Sequence, residues 1–164
     1  MKFNLIYFLL IILGSIQIIS AQGKYRSESK KAIGYFEEGK HYYDLKYYPD
    51  AERYLLDAIM TDDKFQDAYL VLAEVYWEQK KYTQAIDYYG KGLEIDPSFY
   101  PMGYPNKGNL ELRIARYADA LQSFKTFLDI DTTHGKYHQQ ALHGVEVANF
   151  GKYAIAHPVE FEPI

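Results

Sequence analysis

Residues 69–97 read YLVLAEVYWEQKKYTQAIDYYGKGLEIDP, and this stretch decides the fold. Tyr69, Leu72, Ala73 and Tyr76 recur at i, i+3, i+4 and i+7, which puts them on one apolar face of a helix. Ala85, Ile86, Tyr89 and Leu93 do the same for a second helix. The link between them, Gln79-Lys80-Lys81, is short and polar, so the two helices must lie antiparallel. Pro97 stops the second one, because a proline lacks the N–H that a continuing helix would need.

The same signals return on either side at a fixed period. Tyr48-Pro49-Asp50-Ala51, Tyr82-Thr83-Gln84-Ala85 and Tyr117-Ala118-Asp119-Ala120 place their alanines 34 and then 35 residues apart. The first copy adds Tyr35, Gly39, Tyr42, Leu55 and Ala58, and the third adds Tyr104, Gly108 and Phe124. Small residues at 39, 73 and 108, and at 51, 85 and 120, fall where two helices cross and a larger side chain would hold them apart. Pro49 suits a first helical turn, where its missing N–H would be unpaired anyway. One hairpin cannot cover its own apolar face, so hairpins stack and three copies are needed. A thin stack leaves many residues half in the core, which accounts for 18 tyrosines: each buries a ring while its hydroxyl reaches water.

This pattern resembles the tetratricopeptide repeat, whose run is an aromatic, Leu-Gly, Tyr, then Ala, an aromatic and Pro. The resemblance implies an all-α, right-handed superhelical stack of antiparallel helix pairs. It places three repeats within 31–133, at about 32–65, 66–99 and 101–134. Its packing positions fall on Tyr35, Gly39, Tyr42, Ala51, Leu72, Ala73, Tyr76, Ala85, Tyr89, Pro97, Gly108, Ala120 and Phe124. Glu38 and Lys107 stand where Leu is usual, Glu111 stands where Tyr is usual, and only the middle copy has its closing Pro. The extra residue of the third copy falls around Ser98 to Met102. Residues 136–156 read as a helix that caps the open end, with Ala141, Val145, Ala148 and Tyr153 toward the stack.

Such a stack curves, and the first helix of each pair lines the inner surface. By helical spacing, a partner-binding groove is expected along Phe36, Lys40, Tyr43 and Asp44, then Leu70, Glu74, Trp77 and Glu78, then Asn109, Leu112 and Arg113. Aromatics mixed with charges of both signs suit an extended peptide or a helix. Packing against the next pair is the alternative for Phe36, Leu70 and Trp77, and also for Tyr43 and Leu112. Some tetratricopeptide domains hold a carboxylate tail with lysines, arginines and asparagines. At the matching places this chain has Phe36, Lys40, Leu70, Glu74, Pro105 and Asn109, mostly the wrong chemistry for that ligand.

The first 21 residues have the layout of a secretory signal peptide: Lys2, a run of Leu, Ile and Phe from Phe3 to Ile19, and an exit at Ser20-Ala21 before Gln22. An uncleaved anchor is the alternative, although the run is slightly short of the ~20 residues a spanning helix wants. Residues 22–30 form a lead-in. The chain has no cysteine, so it is held neither by disulfides nor by a lipid on cysteine. A formal net charge of −4 with interspersed signs makes no basic stripe, which argues against nucleic acid as a partner. Residues 157–164, His157-Pro158-Val159-Glu160-Phe161-Glu162-Pro163-Ile164, read as an extended linker or the start of a further domain. The order of leader, helical block, cap and Pro158-Val159-x-Phe161-x-Pro163 is similar to Gram-negative envelope proteins in which a β-propeller and an OmpA-like domain follow. That resemblance implies a periplasmic or outer-membrane setting, a protein or peptide partner in the cell envelope, and peptidoglycan contact only through a domain beyond Ile164.

No catalytic constellation is legible, and neither a cofactor nor a metal is expected. His134 and His138 lie one turn apart, but His143 is off that face, and solvated histidines near a helix start are the expectation. Asp129, Asp131 and Thr133 begin like a calcium loop, yet His134 and Gln140 stand where Gly and Glu are required. Gly90-Lys91-Gly92 lies in a helical register and lacks a phosphate loop's flanks. Glu37-Glu38 and Asp62-Asp63 are adjacent pairs that a helix splays apart. The sequence thus reads as an exported protein-interaction scaffold. A structural spacer or oligomerisation module, and an accessory domain of a larger envelope enzyme, are the rivals. If the alanine register is right, Ala85→Glu buries an unpaired charge at a tight crossing and costs several kcal/mol. We expect a much lower melting temperature; an unchanged melting curve would refute the register.

Overall fold

The computed structural model describes residues 25–158. They form α1 (Lys30–Asp44), α2 (Tyr48–Thr61), α3 (Gln66–Glu78), α4 (Tyr82–Ile95), α5 (Gly103–Arg113), α6 (Tyr117–Ile130) and α7 (Lys136–Ala156). All regular structure among the described residues is helical, and the fold is the all-α repeat stack expected from residues 69–97. Each helix packs on its neighbours in sequence; α1 also touches α3, and α5 touches α7. The leader at 1–21 and the tail at 159–164 lie outside the described residues.

Three-residue turns join the members of each pair: α1 to α2, α3 to α4, and α5 to α6. In each turn one residue is left-handed: Lys46, Lys80 and Ala115, at φ 63, 59 and 58°. The N–H of the following residue reaches back to close the preceding helix: Tyr47 to the Tyr42 carbonyl and Lys81 to Tyr76 at 2.9 Å, Arg116 to Glu111 at 2.8 Å. Glycine usually fills this position because it has no Cβ to clash. The links between pairs use a different device, again at one position per repeat. Asp62, Asp96 and Asp131 each accept the backbone N–H two residues on, from Lys64 at 3.1 Å, Ser98 at 3.0 Å and Thr133 at 3.0 Å. These are Asx turns, in which a side chain imitates a backbone turn. The Ser98 and Thr133 hydroxyls add a second bond to their aspartates, and these bonds hold both carboxyls below the ordinary range.

Tight crossings hold the pairs together. Ala51, Ala73, Ala85 and Ala120 are fully buried. A Cβ on Gly39 would sit 2.7 Å from Cγ of Leu55, so α1 and α2 could not approach with any larger residue there. The Phe124 ring is clamped between two glycines: a Cβ on Gly108 would lie 3.0 Å from it, and one on Gly144 2.5 Å. Leu55, Tyr89 and Phe124 occupy one repeat position opposite Gly39, Ala73 and Gly108, so a large side chain faces a small one each time. Pro97 is a correction: it is exposed rather than packed. α4 ends at Ile95 and Asp96 makes the turn, which leaves Pro97 in the wide link before α5.

Buried apolar residues fall into two clusters. One runs from Ala32 to Leu110, and the other joins Ala120, Phe124 and Phe127 of α6 to Ala141 and Ala148 of α7. Glu111 sits at the boundary, fully buried, with Lys107 Nζ at 2.8 Å and the Ser123 hydroxyl at 2.7 Å. Its counterparts in the earlier pairs are Tyr42 and Tyr76, whose rings pack on Tyr54 and Tyr88 at 5.4 and 5.3 Å. The third pair replaces those two rings with a carboxylate and a hydroxyl. A hollow of about 340 Å³ remains, walled by Leu93, Pro97, Tyr104 and Arg116.

Two outcomes follow from these contacts. Ala115→Gly relieves the left-handed strain, and we expect it to raise the urea midpoint by the equivalent of roughly 0.5–1 kcal/mol. Glu111→Ala strands the Lys107 charge and costs about 3 kcal/mol, while Lys107→Met with Glu111→Leu recovers most of that loss. A double variant as unstable as the single one would show that the ion pair is not what matters at this boundary.

Candidate functional site

The first helices of the pairs turn their uncovered faces the same way, and α7 extends that row. On α1, Lys40 is held by Asp44 one turn on, at 3.0 Å. Tyr43 is half-buried and stands near Glu74 of α3. Tyr48, at the start of α2, stands near Glu78 in the same way. Enclosure by protein raises the pKa of Glu74, because its charged form has lost water; the nearby Tyr43 hydroxyl and the Lys40 charge only partly offset this. The Tyr43 phenol is pushed up to about 12, by burial first and then by the negative charges of Glu74 and Glu78.

Tyr89 of α4 contributes from below. Its side chain is fully buried, and its Oη has no hydrogen-bond partner among the described residues. Around that hydroxyl stand Glu74, Asn106 of α5 and Tyr100 of the link before α5, with Asn106 close enough to act on it without closing a bond. Burial, then Glu74, drives its pKa far upward. Two hollows flank this centre. Trp77, Glu78, Lys80, Tyr82 and Arg113 line one of about 280 Å³, where the Arg113 guanidinium lies 5.9 Å from the centre of the Tyr82 ring. The other, about 720 Å³, lies between α5 and α7 and is lined by Pro105, Asn106, Asn109, Tyr137, Gln140 and His143 among others.

Two residues expected in the groove are not there. Phe36 is 3% exposed, because Tyr25 of the lead-in and Phe65 close over it, each with its ring centre 5.0 Å away. The lead-in is fastened there by Ser27 to Asp62 and by the Arg26 N–H to Asp67. Leu70 is 6% exposed and lies against Gly92 of α4. Lys40, Asp44, Glu78, Asn109 and Arg113 are exposed, while Tyr43, Glu74, Trp77 and Leu112 are half-buried. Trp77 packs one side on the first core cluster and lines a hollow with the other; Leu112 leans on the second cluster.

Tyr100, Asn106, Tyr137, Gln140 and His143 were not anticipated. The spacing of Asn106 to Asn109 and of Tyr137 to Gln140 to His143 was a usable signal, had α7 been read as a further first helix rather than only a cap. His138 also differs from the solvated reading: it is half-buried, with Nδ1 3.0 Å from Asp131. Among the described residues no group of three or more His, Cys, Asp or Glu is placed to hold a metal ion. Nor is any helix among them long and apolar enough to cross a membrane.

Residues 67–99 match the family model of the tetratricopeptide repeat. The chain is 28% identical over 110 residues to Hsp70-Hsp90 organizing protein 2 of Arabidopsis thaliana, a match that covers 67% of this chain and 18% of that protein. Among solved structures, it is similar to the TPR2B domain of yeast Sti1 in complex with pHsp70, with a TM-score of 0.64 and 22% identity over 74% of this chain and 98% of that one. It is also similar to the first TPR of Spaghetti (RPAP3) bound to the HSP90 peptide SRMEEVD, with a TM-score of 0.64 and 17% identity over 79% and 96% of the two chains. At these identities the structural likeness establishes the fold.

Proposed function

We propose that this tetratricopeptide-repeat protein is a docking scaffold whose groove, along α1, α3, α5 and α7, holds a segment of a partner protein. The observation that carries the reading is the contrast between the two sides of the first helices. Their packed sides close on alanine and glycine, while their groove-facing sides leave half-buried Tyr43, Trp77 and Glu74 beside open hollows. Half-buried aromatics beside polar groups are what binding surfaces spend on a partner. The neighbours bound to Hsp70 and Hsp90 material support the mode, a peptide laid along a helical stack. They do not supply the partner. The places that would carry cations for an acidic tail hold buried Phe36, buried Leu70, the acid Glu74 and buried Pro105, with Lys40 already paired to Asp44.

The setting we propose is the cell envelope, on the strength of the leader-like residues 1–21. The Pro158 to Pro163 pattern supports the narrower idea of an arm preceding a β-propeller and an OmpA-like domain. A spacer or oligomerisation role is the second reading, favoured by Phe150 at 73% exposure, with Tyr153 and Ile155 beside it on α7. Capture from envelope extract decides between the two. The mature chain is expected to retain partners that Trp77→Ala and Arg113→Glu lose by about tenfold, a loss worth about 1.4 kcal/mol. Undiminished retention by both variants would remove the groove. Exported protein is expected to begin at Gln22 on N-terminal sequencing.

A further inference from the structure

We propose that His134 and His138, with Asp131 behind them, form a binding site for one divalent metal ion of the zinc and copper class at the start of α7. The site goes beyond the docking reading and does not depend on it.

The link from α6 to α7 folds back on its own side chains. Asp131 closes α6, and its Oδ1 accepts the Thr133 N–H at 3.0 Å and the Thr133 hydroxyl at 2.7 Å. Its Oδ2 lies 3.0 Å from Nδ1 of His138, in the first turn of α7. The two side chains are 9% and 14% exposed, so water competes little for this contact. An ionised carboxylate can only accept, so Nδ1 of His138 carries the hydrogen and Nε2 keeps a bare lone pair. Nδ1 of His134 stands 3.4 Å from that lone pair, on the open side of the link. His134 is held there by a left-handed backbone, φ 51°, which a residue with a Cβ adopts only under constraint.

The separation of the two nitrogens points to the ligand. A hydrogen bond donated by N–H normally spans ~2.7–3.2 Å, and the rings stand farther apart than that. Two nitrogens bound to one tetrahedral ion, each ~2.0–2.1 Å from it, lie about 3.4 Å apart. An ion between the rings therefore exchanges one long contact for two full bonds. Asp131 occupies the place of the carboxylate that stands behind a metal-bound imidazole, fixing its tautomer and making it a stronger base. The sequence reading set the pair aside because His143 lies off their face; Asp131 acts on the His138 ring instead of on the metal. Imidazole nitrogen suits zinc, nickel and copper, whereas magnesium and calcium take oxygen. Two ligands from the chain leave the other positions to water, so the ion exchanges freely. Bound, it ties the link to α7, one wall of the 720 Å³ hollow.

Copper(II) and zinc(II), each titrated alone into the full chain without any tag, test the site. One equivalent of copper is expected to bind, more tightly than zinc. Its spin resonance spectrum should carry the splitting of two imidazole nitrogens. Asp131→Asn keeps the turn, since a carboxamide oxygen still accepts from Thr133, but its NH₂ reverses the His138 tautomer. Copper should then bind about tenfold more weakly or worse, and His134→Gln and His138→Gln should each cost at least as much. His143→Gln should leave the affinity unchanged. His134 is exposed, so its variant keeps the fold, and an unaltered circular dichroism spectrum verifies this. Failure to bind copper, affinity indifferent to His134→Gln or to Asp131→Asn, or an equal loss from His143→Gln would each overturn the site. None of these readouts involves a partner, so the outcome bears on the metal alone and leaves the docking reading to its own test.

Discussion

Where two helices cross in this stack, one of them carries no more than a methyl group, and the opposite one fills the space. Gly39 faces Leu55 and Gly108 faces Phe124, with Ala73 and Tyr89 at the equivalent place between them. The constraint is steric and leaves little freedom. A single added carbon at Gly39 would fall well inside contact distance of Leu55. Close approach on one side of the first helices is also what exposes the other side. Because α1, α3 and α5 are anchored through small residues toward their second helices, their long side chains (Lys40, Glu74, Trp77, Arg113) have only the groove to occupy. The binding face is therefore a by-product of how the hairpins close.

The connections are as repetitive as the crossings. A left-handed residue ends each first helix, and an aspartate begins each link to the next pair. Lysine fills the left-handed position twice and alanine once, so the conformation is imposed by the helices on either side rather than chosen by the residue. Side-chain bonds between pairs reinforce the spacing: Glu52 of α2 accepts from the Tyr76 hydroxyl at 3.1 Å and from Lys81 at 3.2 Å.

The repeat unit and its stacking were legible because they depend on apolar spacing, which a sequence displays openly. The groove was legible only in part. Helical spacing puts Phe36 and Leu70 on the same face as Lys40 and Glu74, but it says nothing of what lies above that face. Phe36 is covered by Tyr25, which belongs to a lead-in without helical period, and Leu70 is covered because Gly92 lets α4 come close. The aspartates at 62, 96 and 131 recur at the repeat period, but the sequence reading takes Asp62 as half of an acidic pair and Asp131 as part of a calcium-like run, and their work is in the turns. Glu111 was seen as a departure from the tyrosine pattern. That it would be wholly buried could not be read without knowing that Lys107 and Ser123 converge on it. Tyr89 reads as packing in the sequence, and its ring does pack; that its buried hydroxyl finds no partner among the described residues only the fold reveals.

The Glu111 boundary has a mechanical side. Elsewhere successive hairpins share one greasy interior, and separating them exposes rings to water at every step. Inside the third pair, between α5 and α6, part of the interior is a carboxylate, an ammonium and a hydroxyl, groups that water solvates readily once they are parted. Pulled apart, the third pair would open along this α5–α6 seam at less cost than a seam lined by rings. A molecule strung between two anchored partners would thereby have a built-in place to give.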